Sequence, residues 1–176
     1  MYLSKGTLIS GDAGHNCFPD SGAVGIKEEG ICTKEIWNMV MVKLNNLGYK
    51  TKDCTPWEMK FNSIGESLKF RVSEANKSKS SLHLSIHFSA GKGRGVRCLV
   101  NEFNGKSEKI ANKICNEISK LGYYNRGVES GYLYTLEYTN MPCIIIECAF
   151  VTSKEDMEIY NKELISTAIV EAITNI

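Results

Sequence analysis

The sequence predicts an α/β fold, a sheet with helices on both faces. Three observations carry this. Strand-like and helix-like patterns alternate along the chain. Two runs, Ser81–Phe88 (SLHLSIHF) and Cys143–Phe150 (CIIIECAF), read as buried, β-prone strands. The 176 residues are 43% hydrophobic and 23% charged, enough for one real core and close to one domain in size.

Each element follows from local chemistry. Gly6–Asp12 reads as a short strand, and the glycine-rich Asp12–Gly25 as a loop. Glu29–Leu47 carries Ile31, Ile36, Met39, Val40, Val42 and Leu47 near helical spacing, with Gly48 as its stop. Tyr49–Cys54 is a second strand. Ser63–Lys77 is a helix, with Ile64, Leu68 and Val72 one turn apart. After Ser81–Phe88 come a turn at Gly91–Gly95 and a strand at Val96–Val100. Ser107–Leu121 is an amphipathic helix ended by Gly122, and Tyr132–Leu136 reads as a short strand. Pro142 precedes Cys143–Phe150. Ser153 caps one helix, and a last helix runs from Lys162 to Ile173. There is no internal repeat.

Composition excludes several functions. Lys plus Arg is 21 and Asp plus Glu is 20, a net charge of +1 that gives no footprint for nucleic acid. Lys92, Arg94 and Arg97 therefore read as a solvated turn. No run approaches the roughly 18 apolar residues of a membrane span, and MYLSKGTLISGD does not form a secretory signal. None of the seven cysteines sits in a C-x-x-C, so they read as buried packing residues of a reduced compartment. Synthesis in a cytoplasm without a signal peptide is the expectation.

The chemistry gathers at strand ends. The three histidines are His15, His83 and His87. His15 follows the first strand after Asp12-Ala13-Gly14, and His87 ends the third. Glu147 lies in the most apolar strand, where an unpaired carboxylate is costly and wants a cation, a proton or water. In open α/β sheets such ends converge on one cleft. Two histidines and two carboxylates would suit catalytic zinc, with three ligands and a proton acceptor. Glu28, Glu29 and Glu35 are all candidates for the ligand carboxylate.

Four stretches resemble the zinc-dependent N-acetylmuramoyl-L-alanine amidases: GDAGH at Gly11–His15 with Gly22–Ala23, RVSEAN at Arg71–Asn76 leading to a strand that ends in Ser-Ile-His, NRGVE at Asn125–Glu129, and TNMPCIIIECAF at Thr139–Phe150. They occur in the family's order along the whole chain. The resemblance implies one catalytic domain over 1–176, without a wall-binding module, on a twisted, mostly parallel (mixed) six-stranded sheet. It implies zinc held by His15, Glu29 and His87, the glutamate being placed by counting back from Gly48, and Glu147 as the general base. The implied reaction cleaves the amide between N-acetylmuramic acid and L-alanine in peptidoglycan.

Some positions depart from the family. His83 stands at a usually apolar position and on the same strand face as His87; it reads as a core polar residue, with a hydrogen bond supporting the site as the alternative. Glu137 stands where a basic residue is common, and Asn16 and Cys17 where glycines are common. The short Cys54–Phe70 stretch has no room for an inserted blocking helix, so a monomer working without an activator is expected. A phage endolysin, acting on the wall after release, fits best; a sporulation enzyme is the other context. The competing readings are a zinc carboxypeptidase or peptidase on other peptide amides, a non-catalytic wall-binding relic, and a nucleic-acid binder.

Overall fold

The computed structural model describes residues 2–174. The elements are β1 (Leu8–Ala13), α1 (Glu29–Asn46), β2 (Lys50–Asp53), α2 (Ile64–Ser78), β3 (Leu82–Ser89), β4 (Val96–Val100), α3 (Lys106–Ser119), β5 (Asn125–Ser130), α4 (Tyr134–Tyr138), β6 (Cys143–Phe150), α5 (Lys154–Glu158) and α6 (Lys162–Thr174). Met1, Asn175 and Ile176, the ends of the expected 1–176 domain, lie outside the described residues.

The strands form one sheet in the order β2-β1-β3-β6-β4-β5. Every neighbouring pair is parallel except β4 and β6, which run antiparallel. This is the mostly parallel, mixed, six-stranded sheet that the resemblance implies. β3 and β6 are central and almost wholly buried, which explains their apolar runs.

Helices cover both faces. On one, α1, α3 and α6 bury Ile36, Trp37, Ile114 and Ile169 with Ile9, Leu84, Ile144 and Ile146 of the sheet. On the other, α2 brings Ser67, Arg71, Val72 and Ala75 inward, and α4 adds Leu136 to a small cluster with Leu99, Cys143 and Ile145. The second face is thus far more polar.

Most elements fall within two residues of their sequence-predicted bounds. The strand expected at Tyr132–Leu136 does not form: Tyr134–Tyr138 is a short helix, and the strand lies earlier, at Asn125–Ser130. β5 is an edge strand, and a register shift interrupts its pairing with β4, so it carries no clean apolar alternation. The apolar stripe of α1 is also corrected. Ile31 and Val42 are exposed, and the buried row is Cys32, Ile36, Trp37, Val40 and Leu44.

Candidate metal centre

Parallel β1, β3 and β6 deliver their carboxyl ends to one edge of the sheet, and the candidate residues gather there. His15 lies two residues beyond β1 with a φ of 66°, and Asn16 follows with a φ of 63°. Two non-glycine residues in the left-handed region need support from their surroundings. The Asn16 side chain supplies it, donating to the Gly14 and Gly30 carbonyls at 2.9 and 3.0 Å. Asparagine tolerates this conformation better than most non-glycine residues.

Glu29 opens α1 and is buried. Its Oε2 accepts from the Ala23 amide at 2.9 Å and its Oε1 from the Phe88 amide at 3.0 Å. His15 Nε2 and His87 Nδ1 approach that same Oε1, at 3.0 and 3.4 Å. The two imidazole rings stand edge to face, their centroids 4.9 Å apart. One donor atom from each of His15, Glu29 and His87 lies within 4.8 Å of the others. Tetrahedral zinc with bonds of about 2.0–2.1 Å places its donors about 3.3 Å apart, so the set fits zinc in donor type and spacing.

His15 Nδ1 pairs with Asp20 Oδ1 at 2.5 Å. That second hydrogen bond fixes the ring's orientation, as is usual for metal-binding histidines. Burial opposes the charged form of His15, but its bonds to Asp20 and Glu29 outweigh this and raise its pKa to about 9. Burial likewise opposes Glu29 ionisation, and the two histidines overcome it, holding the carboxyl well below its usual range. Asp20 is also lowered: burial resists, and the His15 hydrogen bond prevails.

Glu147 is directly opposite His87 in the β3–β6 register, so both side chains leave adjacent strands on the same face. Ser89 Oγ donates to Glu147 Oε2. The other carboxylate candidates lie elsewhere. Glu28 is exposed at the start of α1, and Glu35 bonds Tyr160 and Lys162 at 2.9 and 2.7 Å.

His83 is the core residue expected, and it is a hydrogen-bonded one. His83 is fully buried, with Nδ1 against Ser10 Oγ at 2.9 Å and Nε2 against Asp12 Oδ2 at 3.1 Å. Asp12 Oδ1 accepts from Arg71 Nη1 at 2.6 Å and from Ser85 Oγ at 3.2 Å. Arg71 donates to the Ala13 carbonyl at 2.8 Å, and its Nη2 donates to the His15 carbonyl. A continuous polar chain thus runs from the middle of β3 to the backbone of His15. Burial resists Asp12 ionisation, but Arg71 and His83 hold its carboxyl far below normal.

Sequence reasoning gave no role to Asp20, Ser89, Asp12 or Arg71. Asp20 carried a usable signal, a carboxylate five residues after a candidate ligand in one loop. Glu137 is exposed on α4. All seven cysteines are buried and free, and burial pushes the Cys54 and Cys143 thiols up to about 12. Such thiols are poor nucleophiles.

The family model described as N-acetylmuramoyl-L-alanine amidase matches residues 9–176. An uncharacterised protein of Clostridium perfringens is 36% identical over 170 residues, covering 91% of this chain and 49% of its own length. The N-acetylmuramoyl-L-alanine amidase LytC of Bacillus subtilis is 29% identical, covering 86% of this chain and 31% of its own length. The chain therefore spans about half, or less, of these curated relatives. Among solved structures, the catalytic domain of an endolysin targeting Clostridia difficile superposes with a TM-score of 0.87 at 21% identity, over 96% of this chain and 97% of that one. The CwlD amidase of Clostridioides difficile, solved in complex with the GerS lipoprotein, gives 0.84 at 21% identity, over 94% and 95%. These two likenesses show the fold; the match along residues 9–176 shows the family, and the chain belongs to the N-acetylmuramoyl-L-alanine amidases.

Proposed function

We propose that this chain is a zinc-dependent peptidoglycan amidase that hydrolyses the bond between the lactyl group of N-acetylmuramic acid and L-alanine. The observation that carries the reading is the cluster of His15, Glu29 and His87 at one sheet end, with Glu147 opposite His87. Family membership supplies the substrate class. Zinc, when bound, supplies Lewis acidity toward the scissile carbonyl and an attacking water.

The residues supply the rest. His15, Glu29 and His87 would hold the ion, and Asp20 keeps the His15 ring turned toward Glu29. The Ala23 and Phe88 amides stop Glu29 from swinging away. Glu147 takes the proton of the attacking water and returns it to the departing alanine amine. Ser89 holds one Glu147 oxygen, which leaves the other for that transfer. No covalent enzyme intermediate is required.

Product analysis tests this. Zinc-loaded protein, incubated alone with purified cell walls, should release N-terminal alanine without new reducing sugar ends. Release by the chain alone would also support action without an activator, which the short segment between β2 and α2 favours. Absence of new alanine amines, with zinc confirmed bound, would overturn the substrate reading.

A further inference from the structure

A cleft of about 320 Å³ opens at the same end of the sheet, beyond Glu147. It is lined by Lys92, Gly93, Arg94, Tyr124, Arg126 and Phe150, three cations and no carboxylate. The sequence placed Lys92, Arg94 and Arg97 on one solvated turn. The structure separates them: Arg97 is paired with Glu129 at 2.9 Å, and Arg126 of β5 takes its place beside the other two.

The cleft is held in shape. Asp156 Oδ2 accepts from the amides of both Gly95 and Phe150, at 2.7 and 2.8 Å, tying the turn to the aromatic floor. Thr152 Oγ1 bonds both the amide and the carbonyl of Gly91, at 3.1 and 2.8 Å. Gly93 lies so close to Phe150 that an added Cβ would meet the ring at 2.6 Å. Arg126 stacks over Phe150 at 5.0 Å and Arg94 over Tyr124 at 5.9 Å.

One atom is unsatisfied. Arg126 Nη1 is buried and has no hydrogen-bond partner among the described residues. A buried guanidinium N–H left unpaired is costly, and a planar fork suits a carboxylate or phosphate. The cleft also lies near the reaction: Phe150 follows Glu147 by three residues, about 10 Å along a strand.

We infer that Arg126, with Arg94 and Lys92, forms an anion subsite that binds a carboxylate or phosphate group carried by the wall fragment being cut. This rests on the amidase reading. The group has two possible sources, a stem-peptide carboxylate or a phosphate of a wall-linked polymer. The cleft sets how tightly substrate binds, not the chemical step.

Steady-state kinetics of wild type, Arg126→Gln and Arg94→Gln test it on soluble muramoyl-peptides, with stem carboxylates free or amidated, and on walls with or without phosphate polymer. Arg126→Gln should raise KM about tenfold, the loss of one charge-assisted hydrogen bond, with kcat within about twofold. Arg94→Gln, on an exposed side chain, should raise KM about threefold and guards against a folding effect of the half-buried Arg126. A KM rise on free but not amidated peptides assigns the stem carboxylate, and a rise only on polymer-bearing walls assigns the phosphate. Equal KM for wild type and both variants on every preparation would overturn the subsite. Failure of the amidase reading is separate: wild type itself would release no alanine amines from any preparation.

Discussion

Replacing Arg71 with methionine tests whether the buried polar chain both stabilises the fold and holds the metal centre. Arg71 is 2% exposed, and its guanidinium serves Asp12 and the Ala13 and His15 carbonyls. Methionine keeps much of the volume but strands the Asp12 carboxylate. Removing one partner of a buried pair costs about 3–5 kcal/mol. In a chain of this size that is a drop of about 10 °C in Tm. The effect depends on pH with a definite sign. Asp12 has a depressed pKa in the fold, so its pair stabilises above the unfolded value of about 4 and is lost as pH falls below it. In Arg71→Met the carboxyl can protonate, so the gap from wild type should shrink between pH 7 and pH 4. Urea unfolding of the zinc-free proteins at both values measures this, and Asp12→Asn in the same background should recover part of the loss. Zinc affinity should fall about tenfold, because the His15 backbone loses its anchor. A loss under about 1 kcal/mol at pH 7, or the same loss at both pH values, would refute the reasoning.

Other substitutions separate the roles. Glu147→Gln should keep zinc, by metal analysis, and lower kcat on walls by about 10²–10⁴, the usual worth of general acid–base catalysis. Gly14→Ala should lose zinc while staying folded by circular dichroism, since the new Cβ would lie 2.6 Å from His87 Nε2 and force that ring aside. His83→Phe should lower stability by about 1–3 kcal/mol in urea, because Asp12 and Ser10 each lose a buried partner, while zinc content stays unchanged.

Much of this was legible in the sequence, for identifiable reasons. β3 and β6 are covered on both faces, so their apolar runs are unambiguous. His15, His87 and Glu147 could be grouped because parallel strands present their carboxyl ends together. The choice of Glu29 over Glu28 came from the family resemblance, not from local pattern. In the structure the two differ in burial: Glu29 is turned inward on the first turn of α1, and Glu28 faces solvent. β5 and α4 were misread because an edge strand with a register shift and a five-residue helix both lack a readable period. The core place of His83 was legible, but its partners were not, because Ser10 and Asp12 lie on another strand more than seventy residues away. Sequence spacing shows which residues share a face; it does not show which neighbour satisfies a buried polar atom.

The reversal of β4 links the edge carrying the candidate metal centre to the basic cleft. β6 lies between β3 and β4 in the sheet, yet β4 follows β3 in the chain. The connection must therefore cross the carboxyl end of β6, where Glu147 and Phe150 lie. Crossing so closely requires small residues and left-handed backbone, which Gly91, Gly93 and Gly95 provide, with φ of 102° at Gly91 and 91° at Gly95. At Gly95 a Cβ would run into the Tyr124 backbone, so no side chain can be carried there. Lys92 and Arg94 sit between these glycines and are thereby brought to the site's edge. Parallel β5, entering beside β4, starts at the same end and adds Arg126. A β4 running parallel to β6 would begin at the opposite end of the sheet, and its preceding turn could not reach Glu147. The antiparallel pairing of β4 with β6 is therefore what gives the edge carrying His15, His87 and Glu147 a positively charged flank.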